Sequence, residues 1–299
     1  MINNDFENKD LKDYCRQVAL ESAVITHGLP RPKNLETAIE MENAVRAEGA
    51  DPATICLYKG EIKIGLSQDE LTDLAYSDHA KKISIKDISG AKIAGLMGGT
   101  TVAATITIAY LNHIRVFATG GIGGVHRGGY FDISADLPAL AANPVIVVCS
   151  GAKSILDLPA TREYLETMAI PVIGYQTNEF PAFYSRNSGL SVDFRMDEIS
   201  PIVKFAYTHW SLGLKTSVLV TVPPPEENAL PKEYIDDAIS RALVEANERG
   251  VSGSEITPFL LSKINDITQE KSMAANISLL INNARVAGKI AATMGKTII

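Results

Sequence analysis

The densest run of chemistry-bearing residues is VFATGGIGGVHRGGYFDISAD at 116–136. An apolar strand pattern leads there into Gly120-Gly121, Gly123-Gly124, His126-Arg127 and Gly128-Gly129. Glycines at that density let backbone N–H groups approach a ligand closely or form an anion-binding nest. The loop is neither a Walker loop nor a dinucleotide fingerprint, because GxxxxGK[ST] and GxGxxG are both absent. Taken alone, such a loop is equally a tight turn without a ligand. Asp132 and Asp136 follow it. If a helix begins at Asp132, the two carboxylates share one face and suit Mg²⁺ or Mn²⁺ with several retained waters. Alternatively, Asp132 caps a helix and Asp136 is a solvated surface charge.

Lys153 lies in PVIVVCSGAKSILD at 144–157, just after a strand pattern and the small turn Ser150-Gly151-Ala152. Active sites gather at such strand ends in α/β folds. A desolvated lysine there gives up its proton more readily and becomes a nucleophile, whereas a snorkelling lysine does neither. Glu21 interrupts the apolar run of VALESAVITHG at 18–28. It is either a buried acid that holds its proton or an edge-strand glutamate facing water. His27 reads as a satisfied turn residue. Lys82, with Thr100-Thr101 at the start of an apolar helix, can hold a phosphate at the helix N-terminus, or the threonines cap and the lysine is solvated.

The elements needed to position these groups alternate. Asn34–Glu48 reads as a helix, Ala53–Tyr58 and Glu61–Leu66 as a strand pair around Lys59-Gly60, and Ser67–Ser77 as a helix opened by a Ser67/Glu70 capping box. Thr100–Asn112 is an apolar helix, buried on most sides. Arg115–Ala118, Pro144–Cys149 and Pro171–Tyr175 are continuous apolar runs, the pattern of parallel strands covered on both faces. A helix at Ala160–Met168 makes the last two a βαβ unit. Leu214–Val222 is a further strand, and Glu233–Gly250, Glu255–Thr268 and Ser272–Met294 are helices. The fold class is α/β with a largely parallel or mixed sheet, and 1–299 reads as one domain.

Composition narrows the partners. The 299 residues include 28 basic and 35 acidic side chains, a net charge of −7, with no basic block to bind nucleic acid. Cys15, Cys56 and Cys149 form no CxxC pair, which suits a reducing compartment, and Cys149 reads as a core residue. The N-terminal segment lacks a signal-peptide pattern, and no run is long enough to span a membrane. The expectation is a cytoplasmic protein.

The strings ALES…THG (19–28), GGTTVAAT (98–105), FATGGIGGVHRG (117–128), FDISADL (131–137) and SGAKSILD (150–157) together resemble the pseudouridine-5′-phosphate glycosidase family, which includes the indigoidine synthase A-like proteins. EYLET (163–167), TNEFPAFYSRNSG (177–189), TPFLL (257–261) and NNA (282–284) extend the similarity over roughly residues 18–290. The resemblance implies a three-layer α/β/α fold, a homotrimer and Mn²⁺ dependence. It implies the chemistry of a carbon–oxygen lyase, pseudouridylate synthase. That reaction is reversible cleavage of the C–C glycosidic bond of pseudouridine 5′-phosphate to uracil and ribose 5-phosphate. It marks Lys153 as nucleophile, Glu21 as proton donor and Asp132 as metal ligand. Lys82, Val102, Ser134, Ala135 and Asp136 stand at its substrate-binding positions. Thr101, His126 and Arg127 are added here as phosphate or ribose contacts. A C-glycoside has no leaving heteroatom, so Lys153 must be neutral for part of the cycle and Glu21 protonated when it donates.

The chain departs from the family pattern at Leu96 and Met97, where a lysine and an asparagine are usual, at Val222, where an asparagine is, and at Gly253-Ser254-Glu255 in place of GKE. The loop between Arg127 and Asp132 is two residues shorter than in bacterial members. These changes raise an alternative: a C-glycosynthase that joins ribose 5-phosphate to another acceptor in a pocket made apolar by Leu96, Met97 and Val222. A third reading is a phosphosugar-binding protein without catalysis.

Overall fold

The computed structural model describes residues 16–128, 132–251 and 256–297. Cys15, the polar N-terminal segment, part of the shortened loop and Gly253-Ser254-Glu255 lie outside them. The first half of the chain forms β1 (Gln17–Glu21), a π-helical turn (Val24–Gly28), α1 (Lys33–Ala47), β2 (Asp51–Tyr58), β3 (Glu61–Ile64), α2 (Gln68–Tyr76), β4 (Lys81–Ile83), α3 (Ile88–Ile93), β5 (Gly98–Thr100), α4 (Val102–Leu111) and β6 (Val116–Ala118). The second forms α5 (Asp136–Ala142), β7 (Ile146–Cys149), α6 (Leu158–Thr167), β8 (Val172–Tyr175), β9 (Phe194–Met196), α7 (Ile199–Ser211), β10 (Val218–Thr221), α8 (Lys232–Glu248), α9 (Ile256–Ile267) and α10 (Lys271–Thr297).

Local chemistry explains the boundaries. The Ser67 hydroxyl accepts from Glu70 N at 3.2 Å while the Glu70 carboxylate accepts from Ser67 N at 3.0 Å, so α2 begins at the expected capping box. Thr101 caps α4, and Asp157 caps α6 with a proline in the first turn. The strands around Lys59-Gly60 pair antiparallel.

Ten strands form one sheet in the order β4-β5-β2-β1-β6-β7-β10-β8-β9, with β3 added on β2. Every pairing is parallel except those of β2 with β3 and β5. The continuous apolar runs of β6, β7 and β10 are buried at every residue, as strands covered on both faces must be. β7, α6 and β8 form the expected parallel crossover, but β10 is inserted between the two strands. The helix α4 packs on β1 and β2 beside α5, while α10 crosses β1, β6 and β7 beside α1. The described free cysteines, Cys56 and Cys149, are buried core residues, and burial pushes both thiols up to about 12.

Candidate active site

β1, β6 and β7 are parallel neighbours, and their carboxyl ends deliver the critical side chains to one place. Glu21 is the last residue of β1, Thr119-Gly120 follows β6, and the Ser150–Lys153 turn follows β7. A cavity of about 290 Å³ opens there. Its walls include Glu21, Lys82, Thr101, Val102, His126, Ser134, Ala135, Asp136 and Lys153. Nine positions expected to act together, scattered over more than a hundred residues, therefore share one space.

Glu21 is not at a sheet edge: β1 lies between β2 and β6, and the residue is 7% exposed. Burial raises its carboxyl above the usual range; the Lys153 charge and the Thr119 hydroxyl, which donates to Oε1, pull it back. Asp136 pushes it up again and Lys82 lowers it. Burial and the Lys153 charge lower the Lys82 ammonium below its ordinary value. Two ammonium and two carboxyl groups thus feel one another inside a largely apolar wall. His27 also lines the cavity, bonded through Nδ1 to the Thr26 hydroxyl at 2.7 Å. Burial and the Lys82 and Lys81 charges lower it.

The paired-carboxylate expectation is overturned. The helix α5 begins at Asp136, not Asp132, so the two acids do not share a helix face. Nor is Asp136 a surface charge. It is 6% exposed, its Oδ1 accepts from Ala103 N at 2.9 Å and its Oδ2 from Gly123 N at 2.7 Å. It ties the first turn of α4 to the glycine loop. A Cβ on Gly123 would lie 2.7 Å from that Oδ2, so only glycine permits the approach. The α4 N-terminus is accordingly half occupied: Asp136 takes Ala103 N and Thr101 takes Ala104 N. The Val102 N–H remains for a ligand, with Lys82 across the cavity. Thr100 does not contribute; its hydroxyl is buried on Ile55 O and Thr105.

Asp132 lies outside the cavity wall, its Oδ2 3.9 Å from His126 Nδ1 and its side chain 58% exposed. No three His, Cys, Asp or Glu side chains converge among the described residues. One carboxylate beside an imidazole fits a Mn²⁺ ion that keeps most of its waters, not a closed protein cage. Arg127 turns away from the cavity, its Nε on Leu156 O at 3.1 Å and its Nη2 on Ser154 O at 3.3 Å. Leu96, Met97 and Val222 do not line the cavity either. Leu96 packs against Leu57, Ile83 and Ala91, and Val222 is in the main core. The apolar acceptor pocket expected from them is not formed there. Phe183, Leu261, Asn276 and Leu280 do line the cavity, and sequence reading passed over them. They come from a loop and two helices far along the chain; Phe183 and Leu261 fall inside the family strings at 177–189 and 257–261, whereas Asn276 and Leu280 have no local pattern to mark them.

The family described as indigoidine synthase A-like protein matches residues 9–293. The chain belongs to the indigoidine synthase A-like family. A pseudouridine-5′-phosphate glycosidase of Caldanaerobacter subterraneus subsp. tengcongensis is 53% identical over 281 residues, covering 93% of this chain and 92% of the relative. The enzyme of that name from Escherichia coli is 49% identical over 284 residues, covering 94% of this chain and 91% of its own. Among solved structures, an indigoidine synthase A-like protein from Thermotoga maritima superposes with a TM-score of 0.89 at 34% identity, covering 99% of this chain and 100% of that one. A prealnumycin C-glycosynthase in complex with ribulose 5-phosphate also superposes at 0.89, with 39% identity, over 97% of this chain and 95% of that one. Among the described residues of this family member, no helix is long and apolar enough to cross a membrane.

Proposed function

We propose that this chain cleaves the C–C glycosidic bond of pseudouridine 5′-phosphate reversibly, giving uracil and ribose 5-phosphate. The observation that carries this reading is the shared cavity of Glu21 and Lys153. There the carboxyl is held toward its protonated form beside a lysine at the end of a buried strand. The neutral Lys153 amine attacks C1′, the C1′–O4′ bond breaks to open the ribose ring, and the proton that the nitrogen loses passes to O4′, which leaves the nitrogen pair free. Glu21 then protonates C5 of the base. The C1′–C5 electron pair restores the C5=C6 bond of uracil, while the amine nitrogen pair forms an iminium at C1′. Water hydrolyses the iminium, which frees ribose 5-phosphate and Lys153. Thr119 orients Glu21 for this transfer.

Lys82, Thr101, the Val102 N–H and the Ser134-Ala135-Asp136 segment receive the phosphate and ribose in this scheme, with Asp136 acting through the backbone it holds. His126 lies between this end and Asp132. Asp132 would hold Mn²⁺, which supplies positive charge and ordered water near the phosphoribosyl group. The protein is proposed to act in pyrimidine nucleotide breakdown in the cytoplasm, as a single-domain homotrimer. The alternative, synthesis of another C-riboside, draws on the likeness to a C-glycosynthase. Release of uracil and ribose 5-phosphate from pseudouridine 5′-phosphate with Mn²⁺, followed by chromatography, tests the proposal. Both products should appear, and neither with Lys153→Ala; no release from the parent protein would sink the reading.

A further inference from the structure

A second cavity, of about 390 Å³, adjoins the catalytic one, and the two share His27, Gly28, Leu261 and Asn276 as lining residues. Its walls come from the π-helical turn and the residues just after it, from Tyr184, from α9 and from the start of α10. On one side of the shared wall Gly28 has no side chain to close it; on the other, Leu261 and Asn276 are only half-buried. The two rooms differ in charge. The catalytic cavity holds Glu21, Lys82, Asp136 and Lys153, whereas no described residue lining the second is an aspartate, glutamate, lysine or arginine. His27, common to both, is held toward its neutral form by burial and by the Lys82 and Lys81 charges. Ser262 and Asn265 offer neutral hydrogen-bonding groups, and Leu29, Pro30 and Met273 an apolar surface. A charged group placed there would lose water without gaining a counter-charge; an uncharged one would not.

We propose that the second cavity receives an uncharged substituent on the base, so that the chain binds C-ribonucleotides whose base is larger than uracil. This rests on the proposed function. There, Lys82, Thr101 and the Val102 N–H take the phosphate and Lys153 takes C1′. The base is left with the apolar end of the wall, which includes Phe183, Leu261, Asn276 and Leu280. Leu261 and Asn276 also wall the second cavity, so the far edge of the ring meets the shared boundary. C5 is bonded to C1′, and N1, C2 and N3 form that far edge. A group on N1 or N3 therefore extends away from Lys153 and leaves the reacting bonds untouched. Met273, unbranched and adaptable, suits a wall that must fit groups of different shape. The catalytic cavity alone, at about 290 Å³, is at the small end of ligand cavities, which run from about 300 to 1,000 Å³, and the second more than doubles the room.

Calorimetric titration of Lys153→Ala, which removes the nucleophile so that binding is read without turnover, compares pseudouridine 5′-phosphate with its N1-propyl, N3-propyl, N1-carboxymethyl and N3-carboxymethyl derivatives. At least one propyl derivative should bind within about tenfold of pseudouridine 5′-phosphate, and the carboxymethyl group at the same position about tenfold or more weakly than propyl. Adding Met273→Trp fills the second cavity and should weaken the propyl derivative about tenfold or more relative to pseudouridine 5′-phosphate. Ser262 is exposed on α9, so Ser262→Trp gives the same comparison should Met273→Trp fail to fold. Pseudouridine 5′-phosphate that neither binds nor is cleaved by the parent chain would overturn the proposed function, and this inference with it. Binding of pseudouridine 5′-phosphate but of neither propyl derivative, equal binding of the charged and neutral groups, or equal weakening of both nucleotides by the tryptophans would overturn this inference alone.

Discussion

Glu21 holds its proton more tightly than an exposed glutamate because the end of β1 removes it from water, and Lys153 and Thr119 only partly offset that cost. The folded chain thus binds this proton more tightly than the unfolded chain. The stabilisation is present at low pH and is lost as pH rises through the raised value. Glu21→Gln, which cannot ionise, should gain stability relative to the parent as pH climbs above the ordinary carboxylate range, read by thermal melting across pH. If Glu21 donates the proton, parent kcat/KM should fall on the same alkaline limb, and Glu21→Gln should abolish turnover. Asp136 is a different kind of acid, spent on two backbone amides. Asp136→Ala should cost about 2–3 kcal/mol of stability, since each charge-assisted bond is lost and both amides are left unpaired. A variant melting like the parent would contradict that role.

At the scale of elements, the site depends on how α10 and the loops after β6 and β7 are fastened. Asn283 on α10 donates to Thr119 O at 2.9 Å and to Ser150 Oγ at 3.1 Å, which pins both loops to one helix. Asn283→Ala should lower stability by about 2–3 kcal/mol and reduce kcat more than it changes substrate affinity, because buried carbonyls beside Glu21's partner lose their donor. Denaturant melts and steady-state kinetics would show it. Gly151 opens the Lys153 turn at φ +79°, where a Cβ would collide with the Pro181 carbonyl. Gly151→Ala should therefore fail to fold stably or melt far below the parent, as differential scanning calorimetry would show. The capping box of α2 and the apolar runs of β6, β7 and β10 were legible because they are local. The start of α5 was not: Asp132 carries cap chemistry, but Ile133 pairs with Val125 and the helix begins only where Asp136 finds Gly123 and Ala103, and those partners are distant in sequence.

For the whole molecule, a metal proposed at Asp132 would be held weakly and at the rim. Asp132 is largely exposed, and its Oδ2 lies 3.9 Å from His126 Nδ1. Chelation should therefore abolish turnover while moving the melting temperature little, unlike a structural metal whose loss unfolds the protein. A large drop in melting temperature with chelator would point to a closed site instead.

By itself, the sequence determined the α/β class and the parallel central strands, and it marked Glu21, Lys82, Asp132 and Lys153 as candidates, because strand burial and family strings are properties of contiguous residues. Tertiary structure alone decided which of the marked residues meet. It brought Glu21, Lys82, Asp136 and Lys153 into one cavity, and it sent Arg127, Leu96 and Val222 elsewhere. The physical reason is that burial, charge coupling and an amide's choice of acceptor are set by groups far apart in the chain. Asp136 shows it most plainly: its side chain could have faced water or metal, and the closing of α4 on the glycine loop gave it two N–H donors instead.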